Sequence, residues 1–266
     1  MLLESQGAPP LHRHNQCIIS SDMENIITIK DFKMRFGSTE VIHSLTFNVK
    51  RGETFGFLGS NGSGKTTTIR ALLGIYQPTA GELLLDGKPY SVSGDVKLGY
   101  LPEERGLYKK ESVIDAMLYF GELKGMSRNE AKEASLAYLS RVNLSDKANT
   151  RLDKLSGGQQ QKIQLGITIM DNPELLILDE PTKGFDPVNR KLLMDIIEER
   201  RAKGATIVMV THQMDEVERL CDHIILLKDG VSHAYGTVEE VKKKFSKKSL
   251  DEVFLQVYGN ENEEVK

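Results

Sequence analysis

One short glycine-rich segment constrains the fold of this chain more than any other feature. It lies directly after an apolar run at residues 54–58 and directly before a run with helical character at residues 65–73. It reads Gly59-Ser60-Asn61-Gly62-Ser63-Gly64-Lys65-Thr66. This is the pattern G-x-x-x-x-G-K-[ST], and a strand before it together with a helix after it is the context that supports a phosphate-binding loop. The structural alternative is a glycine-rich turn without a ligand.

The residue types of this loop suit a polyphosphate. Gly62 and Gly64 allow the backbone to turn so that several N–H groups point toward phosphate oxygens, and the helix that follows adds the positive end of its dipole. Lys65 can reach the β- and γ-phosphates, and the Thr66 hydroxyl is a ligand for Mg²⁺. We therefore expect the whole loop and Thr67 to contact a nucleoside triphosphate. The pattern alone does not separate ATPases from GTPases or kinases.

A second segment with catalytic residue types is an apolar run that ends in two carboxylates. Residues 175–178 are Leu-Leu-Ile-Leu, and Asp179 and Glu180 follow them. Open α/β sheets bind ligands at the carboxyl ends of their strands, so we expect both acids near the phosphate loop. Asp179 is then placed to hold Mg²⁺ through water, and Glu180 to act as the general base on an attacking water. A strand capped by two solvated acids is the alternative.

The order of the hydrophobic patterns predicts the fold class. Runs at residues 26–30 and 45–49 alternate apolar and polar residues, which is typical of half-buried antiparallel strands. After residue 159, fully apolar runs alternate with helical patterns, which favours a parallel sheet covered on both faces. Residues 111–142 have helical spacing. One face of that helical region carries Ala131, Ala134, Tyr138 and Val142.

These patterns predict an α/β protein with a P-loop NTPase core and a parallel sheet. An N-terminal antiparallel β subdomain precedes the core, and a helical subdomain is inserted at about residues 104–160. We place this domain at residues 23–236, after a disordered extension or tag at residues 1–22 that lacks periodicity. Residues 237–266 are predicted to form a short, charged C-terminal extension, whose lysines favour a solvated helix face.

Composition and charge exclude several classes of function. The formal net charge of −3 over 266 residues gives no global electrostatic case for binding nucleic acid. The longest apolar runs have the length of a strand and do not approach the roughly 20 residues that cross a bilayer. Work at a membrane would therefore need a partner. Cys17 and Cys221 form neither a disulfide framework nor a metal site, which favours a reducing, cytoplasmic setting.

A third motif makes the interpretation specific. The segment Leu155-Ser156-Gly157-Gly158-Gln159, followed by Gln160-Gln161-Lys162, matches the signature of the ABC ATPase family. The phosphate loop, this signature, the acidic strand, the segment Gly184-Phe185-Asp186-Pro187 and His212 occur in the order of that family. The chain resembles ABC ATPases from about residue 24 to residue 236.

The resemblance implies roles for further residues. In this family the signature lies at a helix N-terminus and binds the γ-phosphate held by the opposite subunit, which assigns that contact to Ser156, Gly157 and Gly158 with Gln159 nearby. His212 matches the histidine that contacts the γ-phosphate and helps to position the catalytic glutamate and water. The other two assignments are Asp186, in the loop that couples the two sites, and Phe36, where an aromatic residue stacks on adenine. A core phenylalanine is the alternative for Phe36.

Several positions depart from the common pattern of the family. Glu103 stands where a glutamine usually touches Mg²⁺ and signals to the membrane partner; a carboxylate can still reach the metal but adds negative charge near the triphosphate. Phe185 replaces a leucine, and Lys162 replaces an arginine. Residues 101–108, 183–187 and 249–255 resemble bacterial exporter ATPases of the sodium-extrusion type.

The resemblance implies a subunit that binds and hydrolyses ATP with Mg²⁺ to power an ABC transporter, with an exporter favoured. We expect a homodimer with ATP, or a pair of ABC subunits, that is cytoplasmic and peripheral on the inner face of the cell membrane, with an integral membrane permease as partner. The alternative is a non-transport ABC ATPase that acts on ribosomes or nucleic acid. Such chains usually carry two cassettes or a long coiled coil, whereas this sequence has one signature and no heptad run.

Overall fold

A computed structural model describes residues 25–89, 96–104, 106–107 and 110–259. The predicted extension at residues 1–22, including Cys17, lies outside these ranges, as does the end of the C-terminal extension. Within the described part of the chain, no helix is both long enough and apolar enough to cross a lipid bilayer.

The described strands form one mixed sheet in the order β4-β1-β2-β9-β8-β3-β7-β6-β5. Strands β8, β3, β7, β6 and β5 pair in parallel, and β4, β1 and β2 pair antiparallel. The strands are β1 Asn25–Phe36, β2 Thr39–Lys50, β3 Thr54–Leu58, β4 Ala80–Leu85, β5 Leu98–Leu101, β6 Leu175–Asp179, β7 Thr206–Val210, β8 His223–Lys228 and β9 Val231–Thr237. The predicted α/β class with a parallel core and an antiparallel N-terminal part is confirmed.

Helices cover this sheet, and one group of them forms the predicted helical lobe between β5 and β6. The helices are α1 Lys65–Leu72, α2 Val113–Leu123, α3 Arg128–Arg141, α4 Gly157–Ile169, α5 Pro187–Ala202, α6 Met214–Leu220, α7 Val238–Lys244 and α8 Leu250–Tyr258. Helix α3 begins with a capping box, in which Ser127 and Glu130 bond reciprocally to each other's backbone.

The parallel strands are buried on both faces, as their continuous apolar sequences predict. In β6, Leu176 and Leu178 join a core with the helical lobe, whereas Leu175 and Ile177 join a second core under β1, β2 and α1. Alternate side chains of a strand point to opposite faces, so each strand contributes to both cores. Full burial of each such side chain stabilises the fold by about 1.5–3 kcal/mol.

The N-terminal strands are longer than their alternation predicts, because a bulge interrupts β1. The register with β2 shifts between Ile29 and Phe32, and Asp31 between them has a φ of 47°. Both Ile29 and Phe32 are buried although they are three residues apart. The bulge changes the phase of the alternation between buried and exposed residues. The second half of β1 therefore does not continue the strict alternation of its first half.

The C-terminal helices pack onto the domain through specific contacts. The Tyr258 hydroxyl donates to the carbonyl of Leu227 at 2.5 Å, and Val253 is buried in the same core as Leu176 and Leu178. Of the lysine run, Lys242 pairs with Glu239 at 2.5 Å and Lys244 donates to the His233 carbonyl at 2.7 Å. Part of the basic run is therefore engaged within the fold.

Candidate nucleotide site

The glycine-rich loop adopts the conformation that its sequence predicts. Gly62 and Gly64 have φ values of 82° and 106°, which an L side chain rarely adopts. A side chain at Gly64 would also overlap Ile42. Helix α1 begins at Lys65, directly after the turn, so the loop lies at a helix N-terminus.

Lys65 lies across its own loop. Its Nζ donates to the carbonyl of Gly59 at 2.7 Å and to that of Ser60 at 2.9 Å. An ammonium group has three donors, and the loop carbonyls take two of them, which leaves one for a ligand. Burial lowers the pKa of Lys65, while the charges of Glu180, Asp179 and Glu103 act in the opposite direction.

The two acids lie at the carboxyl end of β6, beside the phosphate loop. Asp179 is the last residue of the strand and pairs with Val210 of β7. Glu180 turns out of the sheet with a φ of 50°, and its amide donates to the Val210 carbonyl at 2.8 Å. Glu180 is 6% exposed, so the alternative of two solvated acids does not describe this strand end.

Burial and mutual repulsion perturb both carboxyl groups. Burial, with smaller contributions from Asp179 and Glu103, raises the pKa of Glu180 to about 7. Burial and the charge of Glu103 raise the pKa of Asp179 to about 6. A carboxyl group with a pKa near neutrality in a cleft is suited to accept a proton in a reaction.

His212 faces Glu180 from the turn after β7. Its Nε2 atom lies 3.3 Å from Glu180 Oε1, and this buried oxygen has no hydrogen-bond partner among the described residues. Burial lowers the pKa of His212, and the positive charges of Lys65 and Lys183 lower it further. The neutral imidazole is therefore favoured, with one ring nitrogen able to donate.

Glu103 carries an ion pair that its sequence position did not predict. Its Oε1 lies 2.6 Å from the ammonium of Lys183, in the turn after Glu180. This partner offsets the extra negative charge that a glutamate brings in place of the usual glutamine. The hydrogen bond and the charge of Glu103 raise the pKa of Lys183.

A polar cavity of about 210 Å³ brings most of the predicted site residues together. The lining residues are Val41, Asn61, Gly62, Gly64, Lys65, Thr66, Thr67, Glu103, Asp179, Glu180 and His212. The signature, Asp186 and Phe36 are not among them. One subunit therefore assembles the loop, the acids and the histidine around one cavity, and it holds the signature elsewhere.

The signature forms the start of α4. Ser156 caps the helix by accepting from the Gln159 amide at 3.3 Å, and the Gln159 side chain accepts from the Ser156 amide at 2.9 Å. A side chain added at Gly158 would lie 3.2 Å from the Phe185 ring. Asp186 caps α5 and accepts from the amides of Val188 and Asn189.

Phe36 lies at the end of β1 on the surface. Its side chain is 43% exposed, and its ring packs edge to face on Tyr76 at a centroid distance of 5.2 Å. The core alternative does not describe this ring, which is open to a further aromatic group.

Two sets of buried contacts near the site were not predicted from the sequence. The side-chain Nε2 of Gln161 donates hydrogen bonds to the backbone carbonyls of Glu180 and Pro181, both at 3.0 Å. Glu216, which is 3% exposed, accepts from Thr182 Oγ1 at 2.7 Å and from Arg190 Nε at 2.6 Å. These contacts join residues from distant segments, so no local pattern marks them.

The residues present fit a nucleoside triphosphate with Mg²⁺. The cavity joins the N-terminus of α1, the remaining donor of Lys65 and the Thr66 hydroxyl. Ser63 Oγ and Glu180 Oε1 are buried and have no hydrogen-bond partner within the described part of the chain, which is costly unless a ligand or water satisfies them. Thr66, Asp179 and Glu103 supply the oxygen donors that Mg²⁺ prefers.

The sheet, the loop and the acidic strand end define a P-loop protein that binds a nucleoside triphosphate. The ABC transporter family matches residues 42–183, more than half of the chain. An uncharacterised ABC transporter ATP-binding protein of Methanocaldococcus jannaschii is 41% identical over 84% of this chain and 82% of its own length. The chain belongs to the family of ABC transporter ATP-binding proteins, as the resemblance in its sequence implies.

Two further members of this family are similar to the chain, one in sequence and one in structure. The Nod factor export ATP-binding protein I of Rhizobium sp. strain N33 is 37% identical over 79% of this chain and 70% of its own length. The solved structure of an ATP-binding subunit of an ABC transporter has a TM-score of 0.81 at 28% identity and covers 87% of this chain and 98% of that one. This chain is accordingly an ATP-binding subunit of a transporter complex.

Proposed function

We propose that this chain hydrolyses ATP to power an ABC exporter. The observation that carries the proposal is the Glu180 carboxylate, which is buried in the wall of the cavity with an unpartnered oxygen and has Lys65 and His212 around the same cavity. A regulatory module that only holds ATP does not need a buried carboxylate with an unsatisfied oxygen at that position, because such a group is costly to keep.

Most of the polar lining residues have a role in this reaction. The loop amides and Lys65 bind the phosphates, and Thr66 and Asp179 would hold Mg²⁺, with Glu103 as a further carboxylate. Bound Mg²⁺ would neutralise charge on the phosphate oxygens. Glu180 accepts the proton of the attacking water, and His212 orients that carboxylate and the water. The catalysis consists of positioning and electrostatic stabilisation.

We propose that two copies, or a pair of related subunits, complete each site head to tail. The signature residues Ser156–Gln159 do not line the cavity of their own chain, yet they present a helix N-terminus suited to an anion. A second subunit can bring that helix start to the triphosphate. Asp186 would then lie between the two sites, and Phe36 would stack on the adenine.

The export direction and the membrane partner rest on the relatives and on the helical lobe. The Rhizobium relative is named for export. The helical lobe has a groove of about 410 Å³ that is lined by exposed Tyr119, by the acidic residues Glu111, Asp115 and Glu122, and by Arg128, which pairs with Glu122 at 3.2 Å. We propose that a segment of the permease with apolar and basic residues docks there, on the inner face of the membrane.

The proposed function is tested by steady-state phosphate release from ATP, with the purified chain alone and with its membrane partner. Turnover that requires Mg²⁺ supports the proposal. If neither preparation releases phosphate, the chain is not an ATP-driven motor and the proposal is wrong.

Replacement of Lys65 tests the phosphate contact. Lys65→Ala removes a charge-assisted donor worth about 1.5–3 kcal/mol, so the affinity for ATP should fall by roughly 10- to 150-fold. Titration calorimetry with ATP measures it, and Lys33→Ala, an exposed lysine on β1, serves as the control. Equal affinity in Lys65→Ala and wild type would contradict the assigned contact.

Replacement of Tyr119 tests the docking groove. A tyrosine in the centre of an interface often contributes about 2 kcal/mol or more, so Tyr119→Ala should weaken binding of the permease by roughly 30-fold and leave ATP affinity unchanged. Co-purification with a co-expressed membrane permease partner measures the change. Tyr235→Ala, which removes a similarly exposed tyrosine from β9, is the control. Equal weakening by both substitutions would argue against the groove.

A further inference from the structure

The catalytic glutamate has an uncommon backbone conformation. Glu180 has a φ of 50°, in the left-handed region that residues other than glycine rarely occupy. Residues in sparsely populated conformations persist where the surrounding structure holds them. The direction of the Glu180 side chain therefore depends on whatever holds this turn.

Two elements hold the turn through its backbone. On the sheet side, the Glu180 amide donates to the Val210 carbonyl at 2.8 Å. On the helix side, the side-chain Nε2 of Gln161 donates to the backbone carbonyls of Glu180 and Pro181, at 3.0 Å each. Gln161 is only 9% exposed, so water does not readily replace these two bonds. A buried carbonyl left without its donor would favour a different turn.

Gln161 belongs to the helix that starts with the signature. Helix α4 begins at Gly157, and Gln161 lies in its second turn. Its neighbour Gln160 points elsewhere and donates to the carbonyls of Leu152 and Leu155, in the segment before the helix. The signature helix thus contacts the catalytic turn of its own chain through Gln161.

We propose that Gln161 is a positioning residue that holds the Glu180 carboxylate in its reactive direction and ties that direction to helix α4. This inference rests on the proposed function. When the triphosphate of the opposite subunit binds the start of α4, it fixes the position of this helix. A shift of the helix is then transmitted to the Glu180 turn through one rigid helical turn and the two hydrogen bonds of Gln161. A nucleotide at one site thereby influences the orientation of the general base in the other.

The experiment compares Gln161→Met with Gln160→Met in the full-length chain. Methionine has a similar volume and no donor, so Gln161→Met should lower kcat by about 100-fold, as expected for a displaced catalytic group. The dissociation constant for ATP should stay near the wild-type value because Gln161 does not line the cavity. Gln160→Met removes two similar bonds from the same helix and should keep most of the wild-type kcat.

A double substitution separates positioning from a general loss of structure. If Gln161 acts through Glu180, adding Gln161→Met to Glu180→Gln should lower the residual kcat no further. If Gln161→Met does not fold, Gln161→Asn takes its place. Asparagine keeps the amide donor on a side chain that is one methylene shorter. Its kcat should fall with ATP affinity retained.

The outcomes distinguish this inference from the proposed function. A wild-type chain without ATP turnover, alone and with its partner, overturns both. Normal wild-type turnover with equal kcat in the Gln161 and Gln160 variants overturns the positioning role alone. A parallel loss of kcat and ATP affinity, or an additive loss in the Glu180→Gln background, also overturns it.

Discussion

Glu180→Gln should lower the kcat for ATP hydrolysis by about 10²- to 10⁴-fold, the range that a general base contributes. The amide has nearly the same shape as the carboxylate, and it cannot accept the proton of the attacking water. The loop amides, Lys65 and Thr66 are unchanged, so the variant should bind ATP with wild-type affinity. Phosphate release and ATP titration measure the two effects separately.

The same variant tests the head-to-tail pairing. Because hydrolysis is expected to reopen the dimer, the Glu180→Gln chain should accumulate as an ATP-bound dimer in size-exclusion chromatography. Glu53→Gln is the matched control, since Glu53 is also buried and pairs with His223 at 2.9 Å at the opposite end of β3 from the phosphate loop. That control should keep its turnover. A Glu180→Gln chain that stays monomeric at saturating ATP would count against the pairing.

Arg190→Met should lower the free energy of unfolding by about 3–5 kcal/mol, because it leaves a buried carboxylate without its positive partner. Arg190 Nε lies 2.6 Å from Glu216 Oε1, and its Nη2 is 2.7 Å from both carboxylate oxygens of Asp215. The other Glu216 oxygen is buried and finds no hydrogen-bond partner among the residues that the structure describes. This pair joins α5 to α6, and Thr182 joins it to the turn that follows Glu180.

Two comparisons show whether the loss comes from the buried charge. Arg219→Met removes an exposed ion pair between the same two helices, with Glu198 at 2.8 Å, and should cost at most about 1 kcal/mol. Adding Glu216→Gln to Arg190→Met should recover part of the stability, because the unpaired charge is then absent. Denaturant unfolding measures all three variants. Equal destabilisation by Arg190→Met and Arg219→Met would contradict the role assigned to burial.

Local sequence predicted the parts of the site that one segment builds alone. The phosphate loop needs only glycines that permit positive φ values and a helix that starts at Lys65, and both are properties of adjacent residues. The strand 54–58 was predicted to the residue, since a continuous apolar run is typical of a buried parallel strand. The order of the motifs carried the family resemblance, which added roles for the signature, Asp186 and His212.

The sequence was less informative where distant segments meet. The bulge at Asp31 changed the phase of β1, and the helical stripe is as predicted only in part: Ala131 and Val142 are buried, Ala134 and Tyr138 are half-buried, and Ser135 and Leu139 beside them are buried. A stripe of mixed small and aromatic residues leaves the exact face ambiguous within one position. Packing against α2 and α4 decides it.

By itself, the sequence determined that this chain folds around a phosphate loop, carries two acids at a strand end, and belongs to the ABC ATPases. Those features depend on residues that are close together in the sequence, so their spacing can be measured without the structure. Only the tertiary structure decided that Lys183 pairs with Glu103, that Gln161 holds the Glu180 turn, and that the signature lies outside its own cavity. Each depends on side chains that the folded sheet brings together from distant segments, and their distances are set by packing.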